Sequence, residues 1–115
     1  MKFKKWSIFL ANLDPVVGSE QGKTRPVLII SEDFFNDLLN VVNIIPLTSY
    51  KEDRFIYPNE VLIEKNTYKL PNASIALIHQ IRTIDKKRLV KELGSIDSKI
   101  VQEEIIDAFR FQFGI

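Results

Sequence analysis

Cysteine is missing from the 115 residues, and histidine occurs once, at position 79. The first absence excludes disulfides, thiolate zinc sites and a cysteine nucleophile; the second excludes chemistry that needs two imidazoles. No apolar run comes near the ~18 residues that would cross a bilayer. The opening MKFKKWSIFLANLDP has charge or polarity on both sides of a short apolar stretch and no small-residue cleavage site. It therefore reads as a mature first strand, with the cytoplasm as the expected compartment. An excess of one charge is lacking too: 16 Lys and Arg stand against 15 Asp and Glu, a formal net charge of +1. Bulk charge thus gives no argument for a nucleic-acid partner, and the clusters Lys2/Lys4/Lys5 and Lys86/Lys87/Arg88/Lys91 read first as solvated faces. There is no repeat, low-complexity tract or Gly/Ser linker, so residues 1–115 are taken as one domain.

What is present is a globular balance, 45% hydrophobic and 27% charged, in a chain long enough for one core. Short runs rich in Val, Ile, Leu and Phe at 6–13, 26–31 and 41–47 read as strands, and 60–64, 74–78, 80–84 and 89–93 carry the same β-branched content. Ser31 is expected to cap a brief helix over 32–39, with Glu32 and Asp33 at its positive end and Asn40 stopping it. The segment 98–113 places apolar residues at 101, 105, 106, 109 and 113, one face of the single long helix, with Ser95 or Asp97 as its cap and Gly94 as the break before it. Seven short strands and a terminal helix predict a mainly β fold: a strongly bent sheet or small barrel with the helix packed on it. Such a fold serves binding proteins and enzymes alike.

The stretch NLDPVVGSEQGKTRPV, residues 12–27, joins two strands by more than ten residues, a length associated with function or mobility. Asp14-Pro15 starts a turn, and Gly18 and Gly22 bracket the polar trio Ser19-Glu20-Gln21 as two hinges. Arg25 follows at the mouth of the next strand, biased toward extended backbone by Pro26. A plain solvent loop in which Arg25 pairs with Glu20 is the competing reading.

The sequence LDPVVGSEQGKTRPVLIIS, then EDFFN, VVNIIPLTS and HQIRTIDKKRL, resembles the MazF/PemK family of toxin endoribonucleases, in order over nearly the whole chain. The resemblance implies a small SH3-like barrel, a homodimer, cleavage of single-stranded RNA with neither metal nor other cofactor, and inhibition by a cognate acidic antitoxin. It places Arg25 and Thr48 in the catalytic pair, Ser19, Glu20 and Gln21 on the RNA-contacting loop, and Gln80 on the base-reading wall. Relatives usually open the first strand with Gly-Asp; here the corresponding residues are Trp6 and Ser7, which leaves that strand's entry in question.

RNA carries its own nucleophile, because the 2′-hydroxyl can attack the neighbouring phosphorus; the protein need supply only charge stabilisation and proton transfer. Arg25 offers a permanently charged planar fork for phosphate oxygens, and Thr48 a hydroxyl donor, although a β-branched residue in a strand needs no function to explain it. His79 stands beside Gln80 where relatives often have an acidic residue, and an imidazole there can move a proton or merely pack. Arg82 is given a weaker phosphate role, and Asp85 the capping of the turn after it. Tyr50, Lys51, Arg54, Phe55 and Tyr57 interleave cations with aromatics, as single-stranded nucleic acid requires, with core packing of Phe55 and Tyr57 as the alternative. No acidic cluster reads as a metal site. Two rivals remain. One is a CcdB-like gyrase poison, favoured by the C-terminal Phe113-Gly114-Ile115; the other is an inactive RNA- or peptide-binding module of the same fold.

Overall fold

The computed structural model describes residues 1–65 and 67–115. Seven strands form, β1 (Ser7–Asn12), β2 (Thr24–Ile29), β3 (Val41–Ser49), β4 (Glu60–Ile63), β5 (Ser74–Leu77), β6 (Arg82–Asp85) and β7 (Leu89–Ser95). Helices α1 (Asp33–Leu38) and α2 (Lys99–Phe113) and the 3-10 turns Ile78–Gln80 and Lys86–Arg88 complete the chain. The strands pair antiparallel in the order β4-β5-β3-β2-β1-β7, with β6 added to β3. The fold is mainly β with a C-terminal helix and barrel-like, its strand path left open between β4 and β7.

Alternation along the strands gives each face its own core. Ile8, Leu28, Ile45, Leu47, Val61, Ile63 and Ala76 pack with Ile105 and Ala108 of α2. On the other side Phe9, Ala11, Val27, Ile29, Val42, Ile44 and Ile84 form a second core. Beside α2, Trp6, Ile30, Ile105, Ile106, Phe109 and Ile115 line an apolar groove of about 350 Å³. Among the described residues no helix is long and apolar enough to cross a membrane.

Several local expectations give way to long-range contacts. Ser31 does not cap α1, which has no side-chain cap. Its hydroxyl instead donates to the buried Asn36 side chain and accepts from the Asn43 N–H at 3.0 Å, tying α1 to β3. Helix α2 is capped by Ser98, whose Oγ accepts from the Val101 N–H at 3.3 Å, and not by Ser95 or Asp97. The chain stays extended to that point because buried Ile96 donates its N–H to the Trp6 carbonyl at 2.8 Å. Gly94 breaks nothing: it lies within β7, where a Cβ would come 2.5 Å from the Tyr68 carbonyl oxygen. Trp6 enters β1 at φ +74°, the left-handed region that favours glycine, while its N–H donates to Ile29 O at 2.7 Å. Two backbone contacts to neighbouring segments hold it there, which accounts for a fully formed β1 without the Gly-Asp entry.

Candidate functional site

Strand β3 is the spine on which the candidate residues assemble. One of its edges pairs with β2, Val27↔Pro46 through Ile29↔Ile44. Its other edge pairs first with β6, Val41↔Asp85 through Ile44↔Arg82, and then with β5, Leu47↔Ala76 through Ser49↔Ser74. The turn Ile78–Gln80 joins β5 to β6 along that edge. Thr48 therefore sits near the end of β3 with Ile75 opposite it. Carrying the β2–β3 register two positions past Val27↔Pro46 brings Arg25 level with Thr48. Pro26 lies between, and its missing N–H is why the ladder stops short of that level. Alternation sends both side chains to the face of Val27 and Ile44, at the rim of the second core, where both are half-buried.

The Arg25 side chain is aimed by its own loop: Nε donates to Gly22 O at 2.8 Å. Among the described residues its two Nη groups carry no hydrogen bond, and the expected alternative pairing with Glu20 does not form. Glu20 instead accepts from the Val17 N–H at 2.7 Å and closes a turn on itself, with Gly18 at φ +57°. Gly22 is not a hinge; a Cβ there would meet Asp14 Oδ1 at 2.6 Å, the same atom that accepts from the Lys23 N–H at 2.7 Å. The loop is thus drawn closed against its own base.

Gln80 lies on the 3-10 turn rather than in a strand. Its amide spans the loop, accepting from the Gln21 N–H at 3.3 Å and donating to Ser19 O at 3.4 Å. Ser19, Gln21 and Gln80 are thereby brought together, in the loop that Arg25 Nε, at the start of β2, holds through Gly22 O. Arg82 reaches the same loop and donates to Leu13 O at 3.2 Å, so at least one of its nitrogens holds backbone. Arg88, which sequence reasoning left among the solvated charges, holds the Asn12 and Asp14 carbonyls beside it. Asp85 caps the second 3-10 turn as expected, accepting from the Lys87 N–H at 2.8 Å.

His79 is exposed and lies toward Glu60, its charge being one of the smaller causes that lower the Glu60 pKa. Glu60 and Arg54 form a pair that the sequence did not disclose. The guanidinium grips both carboxylate oxygens, Nη1 to Oε1 at 2.9 Å and Nη2 to Oε2 at 2.8 Å, on a Glu60 side chain that is 3% exposed. Arg54 holds the Glu60 carboxyl below the usual carboxylate range, against the opposing effect of burial, and Glu60 raises Arg54 in turn. Because the folded value is lowered, the pair contributes stability above the ordinary carboxylate range and loses it as pH falls through the folded value. Arg54 was expected among cations facing nucleic acid; it is spent on this pair. The one available signal was a charged residue opening the apolar run Val61-Leu62-Ile63.

The model for PemK-like, MazF-like toxins of type II toxin-antitoxin systems matches residues 4–111. The chain belongs to this family. Among solved structures, this MazF-like chain is similar to MazF from Deinococcus radiodurans, with 22% identity and a TM-score of 0.83 over 100% of this chain and 99% of that one. It is also similar to the Mycobacterium tuberculosis toxin MazF-mt6, with 22% identity, TM-score 0.77, and 95% and 97% of the two chains covered. A third is a mycobacterial endoribonuclease in complex with its cognate antitoxin, with 20% identity, TM-score 0.76, and 97% and 95% covered. At these identities the likeness is one of fold, so the chemistry of this MazF-like chain rests on its own residues.

Proposed function

We propose that this MazF-like chain is the toxin of a type II toxin-antitoxin system and cuts single-stranded RNA, mRNA included, in the cytoplasm without a metal or other cofactor. The observation that carries the reading is the register that brings Arg25 level with Thr48 at the open end of β3, beside the Ser19–Gln21 loop. In the reaction the 2′-oxygen attacks the adjacent phosphorus and the P–O5′ bond breaks, leaving a 2′,3′-cyclic phosphate and a 5′-hydroxyl. The free Nη groups of Arg25 take the non-bridging oxygens, and the Thr48 hydroxyl donates to the charge that builds on them. His79 accepts the 2′-hydroxyl proton and returns it to the departing O5′, so the imidazole ends as it began. Ser19, Glu20, Gln21, Gln80 and Arg82 form the wall that contacts the strand, through backbone groups as much as side chains, since much of their polar capacity is already committed.

A long single-stranded transcript incubated with purified protein in EDTA should give discrete fragments ending in cyclic phosphate. Adding the cognate acidic antitoxin should suppress them, because such a partner lays negative charge across Arg25 and Arg82. Intact RNA under these conditions, or cleaved supercoiled DNA trapped with gyrase, would reject the reading. We further propose a homodimer, supported by the exposed Phe111, Phe113 and Ile115 at the end of α2, adjoining the Trp6 groove. Sedimentation at micromolar concentration should give about twice the 13.3 kDa chain mass, and a species of chain mass alone would count against pairing.

A further inference from the structure

The segment between β3 and β4 holds two large aromatic side chains in the open, Phe55 at 66% and Tyr57 at 57% exposure. They are not loose. Their rings meet edge to face, with centroids 4.8 Å apart and planes at 77°. The backbone on both sides is tied to the ion pair beneath, in which Glu60 is buried and Arg54 half-buried: Arg54 Nη1 donates to the Phe55 carbonyl at 2.9 Å, and the Tyr57 N–H donates to Glu60 Oε1 at 3.0 Å. The Glu60 N–H returns to Tyr57 O at 2.9 Å, and neighbouring Asn59 is anchored on Gln112 of α2 at 2.7 Å. One carboxylate and one guanidinium thus fix the segment that displays the rings.

Burying such a pair costs desolvation that an apolar pair would avoid, so its stability is a weak reason for its presence. Geometry is a better one. Thr48, Ile75 and Leu62 lie side by side across β3, β5 and β4, and Glu60 is two residues along β4 on the same face. The base of the segment is therefore two strand spacings across and two residues along from Thr48, about 12 Å. Edge-to-face contact leaves a ring face uncovered, and an aromatic face accepts any unpaired base.

We propose that Phe55 and Tyr57 form a stacking platform for one unpaired base of the RNA, and that Arg54 and Glu60 are the positioning residues that hold it at a fixed distance from Thr48. The proposal rests on the RNA-cleaving reading and adds a subsite to it. A base parked there fixes the register of the strand over Arg25 and Thr48, so the platform acts on which phosphate is presented.

The test is fluorescence anisotropy with a labelled single-stranded RNA and a series of the same oligonucleotide carrying one abasic site at each position. The wild-type chain should lose about tenfold in affinity at one abasic position, as expected for about 1.4 kcal/mol of stacking. Phe55→Ala or Tyr57→Ala should weaken the intact oligonucleotide to the same extent and become indifferent to that position, while Phe55→Trp restores the dependence. Both residues are exposed, so these variants keep the fold. Glu60→Gln should blur the abasic dependence with the rings still in place, and Arg54→Lys should fail to restore it, because a point charge cannot hold both oxygens and the Phe55 carbonyl. Alanine variants that retain wild-type affinity and abasic profile overturn the platform, and a Glu60→Gln profile identical to wild type overturns the positioning role. Protein that binds with this profile but cuts nothing refutes the cleavage reading and supports the platform; protein that binds no RNA refutes the platform.

Discussion

Alanine at Arg25 or at Thr48 should slow RNA cleavage at least about 100-fold while leaving the melting temperature close to that of the parent. Both effects follow from placement. Arg25 and Thr48 sit at the rim of the second core, half-buried, and Arg25 contributes a single bond to its own loop through Nε. Removing either side chain empties no core position, so stability changes little. On the proposed reading, what is lost is a donor set aimed at charge that exists only in the transition state, where a pre-oriented group is worth most. Arg25→Lys should be nearly as inactive, since an ammonium cannot span two oxygens, whereas Thr48→Ser keeps the hydroxyl and should keep much of the rate. His79→Gln separates two roles in the same assay: a proton-accepting His79 makes that variant slow, and a packing or base-contacting His79 leaves the rate and changes the sites cut. Near-parental rates for Arg25→Ala or Thr48→Ala would remove those residues from the site.

The largest effect on the fold is expected from the smallest substitution, Gly94→Ala. The added methyl would stand 2.5 Å from the carbonyl oxygen of Tyr68 and 3.1 Å from its carbon. Neither partner can step back easily. Gly94 is paired with Ile8 inside the β1–β7 ladder. Tyr68 and Lys69, at φ +50° and +62°, form a tight turn closed by the Leu70 N–H on Thr67 O at 2.8 Å. Overpacking against fixed backbone costs about 2 kcal/mol, which for a domain of this size is roughly 10 °C in Tm. Gly18→Ala is the control: its φ of +57° strains an alanine, but the space around it is open, so the loss should be smaller and confined to the loop. A thermal melt monitored by circular dichroism in which Gly94→Ala matches the parent would show that the Tyr68 turn yields freely.

The elements that could be read from the sequence are those whose signal is local. Short apolar runs at Pro26-Val27-Leu28-Ile29 and Ile44-Ile45, and the helical spacing of Val101, Ile105, Ile106 and Phe109, announce the state the chain adopts. The misplacements occur where a distant partner overrides a local preference. Ser31 is a good cap by type, but its hydroxyl goes to Asn36 and to Asn43 across the β2–β3 connection. Gly94 is a good break by type, but it is small because Tyr68 lies on it. Gln80 follows an apolar run, yet its amide is drawn to the Ser19–Gln21 backbone and the chain turns there. The candidate site divides in the same way. The motif resemblance singled out Arg25 and Thr48, whereas their common level on β2 and β3 is a property of register that no single segment contains. The partnership of Arg54 with Glu60 is of the latter kind: six residues apart in sequence, the two are joined by burial that the local pattern does not announce.

Trp6 is the chain's only tryptophan, and it lines the apolar groove beside Phe109 and Ile115, with the Lys5 ammonium 5.6 Å from its ring centroid. Indole emission moves to shorter wavelength when water leaves the ring, and it responds to a nearby cation. The protein therefore carries an intrinsic optical reporter at the one place where α2, β1 and the C-terminal residue meet. Whatever settles on that groove writes its arrival into the fluorescence spectrum of unlabelled protein. Formation of the proposed homodimer over this groove should therefore be visible in solution with no dye and no substitution, in an assay independent of RNA.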